Sequence, residues 1–388
     1  ILLLGGLYLR LYRIDLVPWG LNNDEAINAL EVKDIAAGWP FAAAGRPFAS
    51  LTQRGLNRET MFHYLAVFSF RSAEIETNLL RAMPAVFGLS PRLVQDPLMD
   101  LVFPLRSVAI AAGTLTLLAL YLFARDRFGW RVALVATALL AASPWHLLYS
   151  RVGLRAILAP LFAIAAIGFF LKALESGRAR DHAAWGVLLG LGFWTYTSFR
   201  AIPIALIAFA LLRRPLGWVP GHAAGPRARR AALAAIGIAA GILLVLMLLS
   251  PIGFKGFLTR GAYATLVTPK ANFALNLLGS LAMAHDVPAR YAVIQSDAFI
   301  SDGVSPVYGL IGLAPETTVV AALSALGLVY AIWRALRRRD AACGLLVLCH
   351  FALLLTVGFA GPSLTRLLPN APWLCLFAAL FASRIFSD

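Results

Sequence analysis

The sequence predicts an all-α polytopic membrane protein: a bundle of about ten transmembrane helices, with interfacial helices in a long first outer loop. Three features of the chain predict this. Hydrophobic residues make up 60% of the 388 and charged residues only 14%, with a mean hydropathy of +0.77, far from the balance of soluble chains. Apolar runs recur that approach the roughly 20 residues needed to cross a bilayer as a helix. Lysine and arginine alternate between successive connecting loops, as the positive-inside rule requires of a polytopic chain.

Taken in order, the first run spans Ile1 to about Leu11 and is too short to cross alone. The chain has no initiator Met, so the beginning of this span is expected upstream. Longer runs follow near 104–124, 130–148, 154–174, 231–251, 317–333, 341–360 and 367–383. A tighter pair near 183–198 and 200–213 reads as two short or tilted spans turning at Phe199-Arg200. The whole chain, 1–388, reads as one transmembrane domain without a signal-peptide pattern. Two connections, about 12–103 and 252–316, are long enough to be functional. Within the first, residues 60–70 and Leu79 to Leu89 are apolar but too short to span, which fits helices lying in the membrane interface. If either crossed instead, every later loop would change sides and the charge pattern would break.

That pattern sets the orientation. With Asp24 outside, the inner loops carry Arg125, Arg127 and Arg131; Lys172, Arg178 and Arg180; Arg213, Arg214, Arg227, Arg229 and Arg230; and Arg334, Arg337, Arg338 and Arg339. The opposite short loops hold only Arg151 and Arg155, Arg200, and Arg366. The net charge of +15 and the pI near 10.4 therefore read as loop anchors facing anionic lipid head groups. The expected partner is the bilayer, and nucleic acid is not expected. Cys343, Cys349 and Cys375 all lie in apolar runs, as buried thiols would, and form neither a disulfide framework nor a CxxC site.

Chemistry concentrates on the outer side. Asn23-Asp24-Glu25-Ala26 places two adjacent carboxylates just after the first apolar run. Acids there suit the first turn of a helix; they also suit a base or a metal-holding group at the lipid–water boundary. Arg58, Glu59 and His63 precede the first interfacial stretch, and Glu59 and His63 share a helix face at a spacing that can hold a divalent metal, the one candidate cofactor. An ordinary amphipathic helix start has the same pattern. Ser143-Pro144-Trp145-His146 ends one run, and Arg151 and Arg155, one turn apart, begin the next. Two such arginines suit a phosphate, or snorkel to the interface. Tyr196 with Arg200, and Arg366 after Gly361-Pro362-Ser363, complete a polar and aromatic rim.

These pieces resemble the GT-C membrane glycosyltransferases, in particular the protein O-mannosyltransferase and aminoarabinose-transferase group. The resemblance rests on Pro18-Trp19-Gly20-Leu21-Asn22-Asn23-Asp24-Glu25-Ala26, on Asn57 to Tyr64, on Pro104-Leu105-Arg106 running to Gly129, on Ser143 to Ala156, and on Tyr196 to Arg200. It covers most of residues 1–215 and thins beyond them. It implies an inverting transfer of a sugar from a polyprenyl-phosphate carrier to an unspecified protein, lipid or glycan acceptor on the outer face of the membrane; the compact loops and the Ala-, Leu- and Arg-rich composition point to a prokaryotic plasma membrane. It also implies Asp24 as the base, with Glu25 in the second acidic position. Glu59 would sit at a further site position, and Arg151, Arg155 and Arg200 would hold the lipid phosphate. The group contains metal-binding and metal-free members. Relatives carry Glu-Pro-Leu or Lys-Pro-Leu where this chain has Glu59-Thr60-Met61, and residues 71–103 look inserted. A transporter or flippase for lipid-linked sugars is the alternative, although no internal repeat of the transporter kind is visible.

Overall fold

A computed structural model describes residues 1–16, 23–38, 59–90, 98–218, 225–249, 277, 317–360 and 364–385. The helices in order are α1 (Leu2–Leu11), α2 (Asn23–Gly38), α3 (Met61–Arg71), α4 (Ala73–Ala82), α5 (Pro84–Phe87), α6 (Leu98–Phe128), α7 (Trp130–Ala142), α8 (Pro144–Tyr149), α9 (Leu158–Ser176), α10 (Ala179–Gly192), α11 (Ala201–Leu212), α12 (Pro226–Leu249), α13 (Thr318–Arg337), α14 (Ala341–Ala360), α15 (Leu364–Leu367) and α16 (Ala371–Ile385). Among the described residues five helical stretches are long and apolar enough to cross a bilayer: Val102–Phe128, Arg155–Ser176, Pro226–Leu249, Thr318–Arg337 and Leu364–Ile385. Four shorter apolar ones, Leu2–Leu11, Trp130–Ala142, Thr197–Leu212 and Ala341–Thr356, stand beside them. The protein is an all-helical integral membrane bundle.

Its boundaries differ from the sequence reading where turn chemistry intervenes. The run 130–148 is two helices, because Ser143 caps a new start: its hydroxyl accepts the His146 amide at 3.1 Å, and Pro144 takes the first helical position. The turn expected at Phe199-Arg200 falls earlier, after α10 ends at Gly192, and Thr197–Arg200 form a 3-10 turn leading into α11. Gly177, in the left-handed conformation that glycine tolerates, stops α9 by returning its amide to the Ala173 carbonyl. The first expected interfacial stretch, α3, is a two-faced helix, with Leu65 and Phe68 exposed on one side. It packs on α2 and α6 and buries Phe62, His63, Tyr64, Ala66 and Val67.

Helix packing is close where side chains are small. α13 lies against α16, and a Cβ on Gly327 would sit 1.9 Å from the Phe377 carbonyl oxygen, so the two backbones approach as small-residue contacts allow in membranes. The Phe377 backbone belongs to a helix that is fully buried from Ala371 to Leu380 and cannot yield locally. Gly327→Ala is therefore expected to lower stability by about 1–3 kcal/mol through overpacking, although alanine is the better helix former. A melting temperature in detergent at or above wild type would refute this contact.

Contacts between elements sort the connections into two ends. At one, Arg127 pairs with Glu175, Arg334 lies over the Phe128 ring at 5.5 Å, and Trp218 Nε1 donates to the Ala335 carbonyl at 2.8 Å. At the other, Tyr149 meets Thr365 at 2.7 Å and Thr197 meets Glu59 at 2.8 Å. The arginine-rich connections gather at the first end, and the candidate residues at the second.

Candidate active site

Three segments build the second end: the first turns of α2, the entry into α3 at Glu59, and the irregular stretch from Ser143 to Ile157. α2 opens on Asp24 and Glu25, carboxylates placed where the helix N-terminus favours negative charge. Glu25, Asn28 and Glu31 lie three residues apart, share a face, and are all buried; Asp24 is half-buried in the same first turn.

Glu25 is held by Arg106. Arg106 Nε donates to Glu25 Oε1 at 3.0 Å and Nη2 donates to Oε2 at 3.2 Å, while Nη1 donates to the Ile14 carbonyl at 2.9 Å. The Gly153 amide donates to Glu25 Oε1 at 2.8 Å, and Asn28 Nδ2 donates to the Gly153 carbonyl at 2.8 Å. Helix α2 thus grips residue 153 on both sides. Only glycine fits, because a Cβ there would lie 2.7 Å from the Leu105 side chain and 3.2 Å from Glu25 Oε1. One turn further along, His63 Nε2 approaches Glu31 Oε2 at 2.9 Å and Asn28 Oδ1 at 3.3 Å. Both partners are acceptors, so Nε2 carries the proton.

Two residues beyond Gly153, Arg155 Nε donates to Glu59 Oε2 at 3.2 Å. Thr197 Oγ1 donates to Glu59 Oε1 at 2.8 Å, and Trp194 Nε1 donates to Thr60 Oγ1 at 2.9 Å. The Arg155 guanidinium also lies 5.4 Å from the Tyr196 ring centroid, and Arg200 is within electrostatic reach of Glu59. The terminal nitrogens of Arg155 make no hydrogen bond among the described residues.

The third cluster is structural. Both terminal nitrogens of Arg151 donate at 2.6 Å to carbonyls at the end of α1, Leu9 and Tyr12. Burial and the neighbouring Arg106 charge lower the Arg151 pKa to about 10, against an opposing pull from Asp15. Arg10, fully buried, donates to the Gly6 carbonyl at 2.7 Å and to His146 Nδ1 at 2.9 Å. Burial first, then the Arg10 charge, hold His146 well below its ordinary pKa of 6.5. Its folded pKa lies under the unfolded one, so the unfolded state binds the extra proton and stability falls as pH drops below about 6.5. His146→Gln keeps an acceptor for Arg10 and is expected to flatten the melting temperature between about pH 5 and 6.5, where wild type declines by up to about 1.4 kcal/mol per pH unit. Parallel wild-type and variant profiles would remove His146 as the cause.

The sequence-derived residues therefore separate into groups. Glu25 meets Gly153, and Glu59, Arg155, Tyr196 and Arg200 converge. The 151–155 segment joins the two sets. Arg366 is half-buried beside Thr365, which contacts Tyr149, so it stands at the same end. Three expectations are altered. Glu25, expected as a second catalytic acid, is engaged in a buried ion pair. Arg151, expected on a phosphate, caps α1. The Glu59–His63 metal pair does not share one point, since Glu59 faces Arg155 and Thr197 while His63 faces Glu31 and Asn28. Among the described residues no three His, Cys, Asp or Glu side chains cluster as a metal site. Arg58 and nearly all of 252–316 lie outside the described residues. Asn28, Glu31, Arg10 and the role of Arg106 escaped the sequence reading. The 25/28/31 spacing of polar residues on an otherwise apolar face was the available signal.

Comparison with known proteins agrees with this architecture. The family profile described as dolichyl-phosphate-mannose-protein mannosyltransferase matches residues 92–254. No curated protein sequence matches the chain. Among solved structures, the archaeal oligosaccharyltransferase AglB of Archaeoglobus fulgidus, in complex with an inhibitory peptide and a dolichol-phosphate, is similar over 100% of this chain and 50% of its own, at TM-score 0.63 and 16% identity. ArnT of Cupriavidus metallidurans, bound to undecaprenyl phosphate, is similar over 97% of this chain and 59% of its own, at TM-score 0.59 and 14% identity. The chain spans about half the length of these proteins. The fold is that of the GT-C glycosyltransferases.

Proposed function

We propose that this chain is a polyprenyl-phosphate-sugar-dependent glycosyltransferase that inverts the anomeric centre and works on the extracytoplasmic side of the membrane. The observation that supports it most is the convergence on residues 151–155: Glu25 of α2 reaches Gly153, and the Glu59–Tyr196–Arg200 cluster reaches Arg155, at one end of the bundle. The GT-C fold and the polyprenyl phosphates bound by AglB and ArnT supply the substrate class.

In this reading Glu25 positions and Asp24 reacts. The Glu25–Arg106–Gly153 clamp fixes the first turn of α2, and with it the adjacent Asp24 carboxylate. Asp24 takes the proton from the acceptor nucleophile, whose lone pair attacks C1 of the sugar. The C1–O bond to the phosphate breaks, and its electron pair leaves with the polyprenyl phosphate. Attack from the far face inverts C1. Arg155, whose terminal nitrogens make no hydrogen bond among the described residues, and Arg200 stabilise the leaving phosphate, and cations in a poorly hydrated site do this strongly.

Arg155→Ala tests the phosphate role. It removes a cation proposed to face the donor, and also takes one hydrogen bond away from Glu59. Turnover of a polyprenyl-phosphate sugar by the purified protein is expected to fall roughly 10²-fold in kcat/KM. Unchanged kcat/KM would detach Arg155 from the donor. Mass spectrometry of envelope polymers and lipids, with and without the active protein, identifies the acceptor; no gain of any sugar in either pool would sink the transferase assignment.

A further inference from the structure

At the opposite end of the bundle, four arginines from three separate parts of the chain line one cavity of about 660 Å³: Arg131 from α7, Arg334 from α13, Arg338 just after α13, and Arg384 from α16. Trp130 and Tyr330 flank them. The size falls in the range of small-ligand sites, roughly 300–1,000 Å³. No acidic residue is among those that line it, and Arg334 is paired with Asp340. The Arg131 and Arg338 guanidiniums stack on Trp130 at 5.5 Å and Trp333 at 5.1 Å, and make no ion pair or hydrogen bond among the described residues. Arg131 and Arg338 thus bring two like charges to one cavity, and convergent like charges repel unless an anion lies between them.

The rest of the wall says what kind of anion. Beyond the arginines the lining turns aliphatic with Val132, Val135 and Leu380, and Leu134 and Val135 on α7 are 37% and 38% exposed along the flank of the bundle. Trp130, 58% exposed, sits at the junction, where indole rings favour the membrane–water boundary. An occupant matching both parts is amphiphilic, with phosphate at the arginines and hydrocarbon along α7. We propose that this cavity binds the head group of an anionic glycerophospholipid, in the leaflet opposite the acid-lined end. The site is separate from the proposed donor site: α7, 13 residues and about 20 Å long, runs between the Trp130 end and the Ser143 end.

The test uses the full chain purified in mild detergent and offered equimolar phosphatidylglycerol and phosphatidylcholine of identical acyl chains. Native mass spectrometry counts the bound lipid. Phosphatidylglycerol is expected to be retained roughly tenfold over phosphatidylcholine, and R131A/R338A to lower its retention roughly tenfold. The control R125A/R337A removes two exposed arginines from the same end that do not line the cavity, and is expected to change retention by less than about twofold. Equal retention of the two lipids overturns the proposal, as does an equal loss in the control. Displacement of the lipid by millimolar inorganic pyrophosphate would mark a soluble-anion site and overturn it too. If R131A/R338A fails to insert, the wild-type preference between the two lipids decides alone.

Discussion

Asp24→Asn is expected to reduce sugar transfer by about 10²–10⁴-fold, the size of a lost general base. Asparagine keeps the volume and the acceptor oxygen but cannot take a proton at neutral pH. Asp24 is half-buried in the first turn of α2, and the helix start is fixed by its neighbour through Arg106 and Gly153, so the substitution leaves the scaffold intact. The melting temperature should stay near wild type, less a few tenths of a kcal/mol for the lost charge at the helix N-terminus. Donor binding, read from KM, should change little, because the base acts in the transition state. A variant that still transfers sugar at a tenth of the wild-type rate or better, roughly 1.4 kcal/mol of barrier, would remove the central assignment.

Arg106→Ala is expected to destabilise the protein by about 3–5 kcal/mol, the cost of leaving one partner of a buried ion pair alone. The side chains of Arg106 and Glu25 are only 2% and 1% exposed, so water cannot replace the missing partner. Three donated bonds disappear together, including the one to Ile14, and the start of α2 loses its anchor. Glu25→Gln alone is milder in volume but leaves the guanidinium without its counter-charge. The double variant Glu25→Gln/Arg106→Met should be more stable than the sum of the two single changes, because neither charge is left stranded. Denaturant titrations in detergent measure all three. Strict additivity would mean the two side chains are not coupled. The same variants separate positioning from chemistry: refolded Glu25→Gln should lose kcat in proportion to the displacement of Asp24, whereas Asp24→Asn should lose it at a cost of only a few tenths of a kcal/mol in stability.

Much of the framework was legible because its causes are local. A 60% hydrophobic chain with repeated apolar runs has no alternative to helices in a bilayer, where every backbone amide must be satisfied within the segment. The alternation of arginines between loops carried over into the two ends of the bundle. Less was legible at single residues. Arg151 and Arg155 look equivalent in sequence, two arginines four apart on a rim poor in cations. The fold gives one to the carbonyls ending α1 and the other to Glu59. Glu25 and Asp24 are adjacent acids, yet a rotation of about 100° per helical residue turns Glu25 inward onto Arg106. Arg106 itself reads as one basic residue near the start of a span; only its 81-residue contact with Glu25 reveals a clamp.

The sequence by itself determined the class of the protein, its helical construction and the segregation of charge between two ends, since each follows from the transfer of short segments between water and lipid. Tertiary structure alone decided which polar side chains are tied into buried pairs and which stand together at the candidate site. That choice depends on contacts such as Glu25–Gly153 and Thr197–Glu59, 128 and 138 residues apart. Their energy exists only once packing has removed water from both partners, and no local pattern of residues encodes that removal.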